Sequence, residues 1–250
     1  MRIALIKVGH RPYKPPVYSY LKTVMDFAFF DRLSMAKNEE TDDWWKGFNR
    51  IYNVLCYDYL YPNPASVMAF IENHDTDRFL ENGKDTLALK QAYALLLTMR
   101  RIPQLYYGTE ILMNGTKEVT DGNVRKDFPG GFPGDKANKF TRKGRTAAEN
   151  AMFDWTARLL HWRKGNDVIV HGKQIQFIPW HGIYVVTRQY NGRTVMTVIN
   201  GRNTSGKLEV KRYAEIIGNN TTAHDVCTGE SVSLSADVPL KARQTMVLEF

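Results

Sequence analysis

The strongest constraint on the fold is a change of pattern about two thirds of the way along the 250-residue sequence. Up to about residue 164, short apolar runs typical of buried strands alternate with amphipathic segments typical of helices. This order predicts a parallel sheet with crossover helices. From about residue 170, short strand-like runs follow one another at close intervals, separated by Asn-Gly and Gly-rich turns. That second pattern predicts an antiparallel β-sandwich.

The first part contains three strand-like runs and three helical patterns. The strand-like runs occupy residues 21–27, 65–71 and 102–108. The helical patterns begin at Thr41, near Asp85 and at Thr146, where capping residues precede apolar repeats. The first of these patterns places Trp44 on the apolar face of its helix.

The second part contains six strand-like runs: QIQFIP, GIYVVTRQY, RTVMTVIN, GKLEV, SVSLS and RQTMVLEF. The predicted fold class is therefore α/β followed by all-β. We place an α/β domain at residues 21–165 and a β-sandwich domain at residues 166–250, and residues 1–20 match neither pattern.

Charge and composition limit the classes of partner that the protein is expected to bind. The net charge of +8 and the isoelectric point near 9.4 make a nucleic-acid binder a candidate. However, the basic residues are scattered, and no helix-turn-helix, zinc spacing or ribonucleoprotein pattern is present, so we expect no nucleic-acid partner. No run approaches 18 apolar residues, and no metal-ligand spacing occurs among the six histidines, so we expect neither a membrane span nor a metal site. The sequence leaves the localisation and the oligomeric state open.

The motif FIENHDTDRF carries most of the polar chemistry in the first part. It ends the apolar run 65–71, and polar residues at the carboxyl end of a parallel strand lie where ligands bind. The motif places Asn73, His74 and Asp75 at that edge. On the residues alone, a structural role remains open, with Asp75 capping a turn and His74 buried in the core.

Two motifs together resemble the α-amylase family, glycoside hydrolase family 13. FIENHDTDRF resembles the end of that family's seventh barrel strand, and IPQLYYGTEI resembles its eighth. LKTVMDF looks like the sixth strand, and DGNVRKDFPGGFPGD resembles a loop of the neopullulanase and cyclomaltodextrinase branch. The resemblance implies strands six to eight of a (β/α)8 TIM barrel, followed by a C-terminal β-sandwich.

The resemblance also implies roles for single residues. Asp75 corresponds to the acid that stabilises the transition state, and Asn73 and His74 to residues that contact the same sugar. Arg78 corresponds to a supporting residue near the site. Further substrate-binding candidates are Tyr106, Tyr107, Asp121 and Arg125. For the two tyrosines core packing is an equal alternative, and for the two loop residues salt bridges within the loop are the alternative.

Two of the family's three catalytic carboxylates have no counterpart in this sequence. Retaining glycoside hydrolysis needs a nucleophile and a general acid about 5 Å apart. The family's Gly-x-Arg-x-Asp pattern and its catalytic Glu are both absent before Asp26. We therefore expect a C-terminal fragment of a retaining α-glucan hydrolase, inactive alone, whose parent acts on α-1,4 bonds of starch-derived oligosaccharides, pullulan or cyclodextrins. No cofactor is evident, and calcium remains open for the intact enzyme.

A non-catalytic module is the alternative function. In that hypothesis the β-sandwich binds carbohydrate or has a structural role. Exposed Trp180 and Tyr184 would favour carbohydrate binding, whereas both side chains would be core residues in a structural domain.

Overall fold

The structure, a computed structural model, describes residues 2–4, 17–19 and 21–250. Within the unplaced segment 1–20, strands β1 (Arg2–Ala4) and β2 (Val17–Ser19) pair antiparallel. The other residues of that segment lie outside the described part of the chain.

The remaining elements fall into a mixed α/β part and a mostly β part. The first part contains α1 (Phe27–Ala36), α2 (Phe48–Cys56), β3 (Met68–Phe70), α3 (Thr86–Thr98), β4 (Ile102–Gln104), α4 (Asp121–Val124), α5 (Ala147–Arg163) and α6 (Asp167–His171). The second contains β5 (Lys173–Trp180), β6 (Ile183–Tyr190), β7 (Arg193–Asn200), β8 (Gly206–Leu208), α7 (Ala214–Ile217), β9 (Thr222–Asp225), β10 (Glu230–Ser233), β11 (Val238–Leu240) and β12 (Thr245–Glu249).

Three parallel segments lie side by side in the first part. β3 and β4 pair in parallel, with Met68 opposite Ile102. The first predicted strand is reduced to a parallel bridge between Met25 and Met68, flanked by a hydrogen bond of 2.8 Å from Asp26 N to Met68 O. The parallel pairing confirms the predicted arrangement, although the strands are shorter than the apolar runs. Because β3 and β4 are parallel, the chain leaves both at the same edge of the sheet, whereas the first segment ends at Asp26, level with the start of β3.

The predicted helices are confirmed in two cases and misplaced in one. Asp85 caps α3, and Thr146 forms a capping box with Glu149 at the start of α5, as the sequence predicts. The helix predicted from Thr41 begins only at Phe48, so Trp44 lies in a turn and is 61% exposed. Helix α1 was not predicted, because its N-cap, Asp26, reads in sequence as the end of a strand.

The second part is a six-stranded antiparallel sheet with strand order β10-β9-β12-β7-β6-β5, together with a two-stranded sheet formed by β8 and β11. The six predicted strands are all present. β9 and β11 are additional strands that sequence analysis missed. β9 carries two polar exposed positions in four residues, which left no run of apolar residues to detect.

The large sheet is buried on both faces. On one face, Tyr184, Val186 and Ile199 belong to the same core as helices α1, α2 and α3. On the other face, Ile183 and Val185 pack with the two-stranded sheet and with the segment that contains α7. This double burial explains the nearly continuous apolar sequence of β6 and β7.

Polar side chains also join the helices to the sheet. Gln91 Nε2 on α3 donates to Asn200 O at 2.8 Å, and Thr197 Oγ1 donates to Thr98 Oγ1 at 2.7 Å. Arg188 Nη1 donates to Thr98 O at 3.3 Å. Buried hydrogen bonds between elements fix their relative position, because a lost partner leaves a polar group unsatisfied in the core.

A buried ion network lies at the opposite end of the parallel segments from the motif. Arg101, just before β4, contacts Asp26 Oδ2 through Nε at 3.1 Å and Asp58 Oδ2 through Nη1 at 3.0 Å. All three residues are buried. Burial opposes the charge on Arg101, but the two carboxylates leave the pKa of its guanidinium raised. The network ties the first segment, the end of α2 and β4 to one another.

The turn before α2 is closed by a second ion pair. Arg50 Nε lies 2.6 Å from Glu39 Oε2, and Gly47 N donates to the same oxygen at 2.9 Å. Gly47 has φ of 53°, and a Cβ there would lie 2.5 Å from Thr41 Oγ1, so only glycine fits. The hydrogen bond from Arg50 lowers the pKa of Glu39 below its ordinary value of 4.5, against the opposing effect of burial.

We expect Glu39→Gln to destabilise the protein by about 1–2 kcal/mol at pH 7, because a charge-assisted pair is lost. A carboxylate whose pKa is lowered by folding contributes stability above its unfolded pKa, and this contribution is lost as pH falls through the folded pKa. The difference between wild type and variant in urea unfolding should therefore shrink below about pH 4.

Glu40→Gln is the matched control, because Glu40 contacts the neutral side chain of Asn203, at 2.9 Å. Its effect should stay within about 0.5 kcal/mol. An equal loss in both variants, or a Glu39→Gln effect that does not change with pH, would contradict this account of the turn.

Candidate functional site at the carboxyl edge of the parallel segments

The chain turns sharply after β3, and the turn determines which motif residues reach solvent. Asn73 is buried, and its Oδ1 accepts from Asp75 N at 2.8 Å. Thr76 Oγ1 accepts from Asn73 N at 2.9 Å. These bonds close the turn from within, so that His74 and Asp75 between them point outward.

His74 and Asp75 form an exposed polar pair. Their side chains are 58% and 57% exposed, and His74 Nε2 lies 3.2 Å from Asp75 Oδ2. The other carboxylate oxygen of Asp75, Oδ1, lies 3.3 Å from Arg125 Nη2. Both oxygens of Asp75 therefore have a donor nearby and remain open to a ligand. The alternative of a buried core histidine is wrong for His74.

The long loop after β4 folds back onto the motif. Arg125 Nε donates to His74 O at 2.9 Å, and its Nη2 lies 3.4 Å from Asp121 Oδ2 on α4. Lys117 N donates to Asp77 Oδ1 at 2.6 Å, and Lys117 Nζ contacts Asp121 Oδ1 at 3.3 Å. The structure thus brings Asp121 and Arg125 to the motif, while Asp121 also forms salt bridges within its own loop.

A buried ion pair lies beneath the exposed residues. Glu72 and Arg78 are each 1% exposed, and Arg78 Nη1 lies 3.1 Å from Glu72 Oε1. Glu72 also accepts hydrogen bonds from Phe79 N and Thr109 Oγ1. Burial raises the pKa of Glu72, whereas these donors and Arg78 act in the opposite direction.

Arg78 connects the motif to the segment that follows β4 and to α4. Its Nη1 donates to Tyr107 O at 2.6 Å, three residues after β4, and its Nε donates to Val124 O at 2.9 Å, on α4. Its guanidinium lies 4.0 Å from the ring centre of Tyr106 and 4.9 Å from that of Tyr107. Arg78 therefore holds the motif, the tyrosine pair and the loop together from below.

The two tyrosines differ in exposure. Tyr106 is half-buried over Arg78, whereas Tyr107 is 39% exposed and donates through its hydroxyl to Lys126 O at 2.7 Å. Their rings meet edge to face at 4.7 Å. Tyr107 is thus partly open to solvent beside the motif, whereas Tyr106 packs against Arg78.

Sequence reasoning missed two residues of this cluster. Glu72 lies inside the quoted motif, and its signal was an acid directly after a buried strand with an arginine six positions later. Lys117 gave no comparable signal, because only the folded loop brings it to Asp77.

The described residues contain neither a metal-binding cluster nor a membrane-spanning helix. Among residues 21–250 and the short described segments before them, no group of three histidine, cysteine or acidic side chains could hold a metal ion. No helix in the same part of the chain is long and apolar enough to cross a membrane.

Comparison with known proteins gives matches to one group of enzymes. Residues 174–249 match the family described as Cyclo-malto-dextrinase C-terminal domain. The chain is 26% identical over 222 residues to a cyclomaltodextrin glucanotransferase of Geobacillus stearothermophilus, and 26% identical over 219 residues to an α-amylase of Niallia circulans. The alignments cover 86% and 84% of this chain but 28% and 37% of those relatives. The chain therefore spans well under half the length of the curated relatives it matches.

Solved structures show the same fold. The α-amylase of Geobacillus thermoleovorans in complex with acarbose superposes with a TM-score of 0.71 at 20% identity, covering 92% of this chain and 48% of that one. AmyP in complex with maltose gives a TM-score of 0.72 at 15% identity, covering 92% and 50%. The α/β part and the antiparallel sheet thus occur together in relatives that are about twice as long.

These matches relate the chain to α-amylases and cyclomaltodextrin glucanotransferases as a class. Residues 174–249 match the cyclomaltodextrinase C-terminal domain, and the chain as a whole is related to the α-amylase family. The resemblance to the α-amylase family that the motifs predict is confirmed.

We expect Arg78→Met to destabilise the protein by about 3–5 kcal/mol, because Glu72 would be left buried without its counter-charge. Urea unfolding at pH 7 measures the change. A second substitution, Glu72→Gln, should recover part of the loss by removing the uncompensated acid.

Arg125→Met serves as the comparison, since Arg125 contacts the same motif from the solvent side and its side chain is 41% exposed. Exposed ion pairs contribute about 0–1 kcal/mol, so this variant should be much less destabilised. Similar losses for both arginines would show that Arg78 does not support the site from below.

Proposed function

We propose that residues 21–165 are the part of a (β/α)8 barrel that contains strands six to eight, and that residues 166–250 are the C-terminal β domain of the same α-glucan-acting enzyme. The three adjacent parallel segments support this assignment, as does the alignment of the whole fold with part of longer α-amylases. In such a barrel the active site lies at the carboxyl ends of the strands, which is where the motif is found.

The reaction we propose is retaining cleavage of α-1,4-glucosidic bonds in starch-derived oligosaccharides, pullulan or cyclodextrins. The observation that carries it is the exposed Asp75 carboxylate, whose two oxygens lie next to His74 and Arg125. A carboxylate held in this way can accept hydrogen bonds from sugar hydroxyls and stabilise the positive charge that develops on the ring in the transition state.

The residues around Asp75 have supporting roles in the proposed reaction. His74 donates to a hydroxyl of the sugar that contacts Asp75, and Asn73 holds the turn that presents both. Arg125 and Tyr107 flank the sugar, with Asp121 orienting Arg125. Arg78 is a positioning residue, because it is buried and contacts the carbonyls of Tyr107 and Val124.

The described acids near Asp75 do not supply the two further carboxyl groups that retention requires. Asp77 accepts from Lys117 N, Asp121 pairs with Lys117 and Arg125, and Glu72 is buried. We therefore propose that the nucleophile and the general acid belong to barrel strands four and five of the family. This chain should then bind α-glucan weakly without cleaving it.

The test combines binding and hydrolysis. The purified chain should bind acarbose in calorimetry, and Asp75→Ala should weaken that binding by about tenfold or more, since carboxylate–hydroxyl hydrogen bonds are lost. Maltoheptaose incubated with the chain should release no new reducing ends.

Asp167→Ala is the control for the binding experiment, because Asp167 lies on α6, at the junction with the β domain. Acarbose affinity that survives Asp75→Ala unchanged would refute the proposed site. Release of reducing ends that disappears in Asp75→Ala would refute the claim that this chain lacks the other catalytic groups.

A further inference from the structure

Two consecutive tryptophans are among the most exposed apolar side chains of the described residues. Trp44 is 61% exposed and Trp45 is 73% exposed. Tryptophan is a large side chain that is mostly buried on average, so an adjacent pair in solvent needs a reason. Both lie in the segment Asp43–Lys46, called here the tryptophan turn.

The tryptophan turn is held rigidly from below. Trp45 N donates to Asp43 Oδ1 at 2.9 Å, and Lys46 N donates to Asp43 O at 3.1 Å. From α2, Asn49 Nδ2 donates to Asp43 O at 2.9 Å, and Asn53 Nδ2 donates to Trp44 O at 3.3 Å. The Glu39–Arg50 pair closes the same loop. A backbone fixed in this way presents the two indoles with little entropy left to lose on binding.

The chemistry around the indoles suits a neutral polyhydroxyl ligand. Neither indole N–H has a hydrogen-bond partner among the described residues, so both remain available as donors. Exposed Asp42 and Lys46 stand on either side of the pair and offer an acceptor and a donor. A glucose ring matches such a surface, because its C–H face can stack on an indole while its hydroxyls reach the polar groups at the edge.

The tryptophan turn lies at the same end of the molecule as the motif. Helix α2 runs back toward the start of the parallel segments, where Asp58 meets Arg101. The turn that precedes α2 therefore lies toward their carboxyl edge. Lys37, at the end of α1, supports this placement, because its Nζ donates to Phe79 O at 2.7 Å, directly after the motif.

We propose that the tryptophan turn is a second binding site for an α-glucan chain, separate from the site at Asp75, with Trp44 and Trp45 stacking on glucose units. The choice of an α-glucan rests on the proposed function of the chain. A stable protein partner would need about 800 Å² on each side, which two indoles flanked by exposed charges do not supply. A single polysaccharide strand needs only the width of the two rings.

Trp180 provides a matched control on the β domain. It is 43% exposed, but Arg212 lies 4.7 Å from its ring centre and His181 packs against it at 4.6 Å. Its indole N–H is 3.3 Å from Glu209 Oε2. Trp180 is therefore partly exposed, but its ring contacts Arg212 and His181 and its indole N–H has an acceptor. Tyr184 is fully buried. Of the two residues considered as carbohydrate-binding aromatics, Tyr184 is therefore a core residue, whereas Trp180 is partly exposed.

The experiment is affinity electrophoresis of the purified chain in native gels that contain increasing soluble starch, with starch-free gels as the baseline. Wild type should be retarded, and the double variant W44A/W45A should bind at least about fivefold more weakly. W44F/W45F, which keeps an aromatic face at each position, should retain more affinity than the alanine pair. W180A should migrate close to wild type, and circular dichroism confirms that each variant is folded.

The outcomes separate this proposal from the proposed function. Retardation that is unchanged in W44A/W45A, or absent in wild type, would overturn the tryptophan site. A dimer in sedimentation that dissociates in W44A/W45A would overturn it as well, by showing that the pair is a contact between copies. Unchanged acarbose binding in D75A would instead refute the site at Asp75 and leave the starch result standing.

Discussion

The rest of the structure depends on packing against the six-stranded sheet. The three parallel segments form a small sheet, which alone offers little surface for helices to pack on. Helices α2 and α3 bury their apolar faces against the large sheet instead, with Phe48 stacked on Tyr184 at 5.9 Å. Gln91 and Thr98 add hydrogen bonds across this contact. The position of the α/β part is therefore set largely by the β domain.

Two buried arginines then position the elements around the candidate site. Arg101 joins the end of the first segment to the start of β4 through Asp26 and also contacts Asp58. Arg78 joins the chain after β3 to the chain after β4 through Glu72 and the carbonyl of Tyr107. Each arginine contacts groups from different elements, so that the ends of the segments stay aligned. The buried pair of Glu72 and Arg78 lies beneath the exposed Asp75, and buried support of this kind holds exposed side chains in a fixed geometry.

The position of the candidate site residues at a strand end could be predicted from the sequence, but the residues that support them could not. The motif could be placed at a strand end because a buried apolar run stops where the polar residues begin, and helices α3 and α5 could be recognised by their caps. The start of α2 could not, because it depends on Gly47 at positive φ and on contacts with Thr41, which only the folded chain brings together. For the same reason, Trp44 was assigned to a buried face. The loop that carries Arg125 likewise returns to Asp75 through tertiary contacts that no local pattern encodes.

The central claim is that the carboxyl edge around Asp75 is an α-glucan site within this chain. Backbone NMR spectra recorded during a titration with acarbose test it most directly. The account predicts chemical-shift changes concentrated at residues 73–75, at Tyr107 and at Arg125, with only small changes in strands β5 to β12. Shifts confined to the β domain, or spectra that do not change at saturating acarbose, would contradict it.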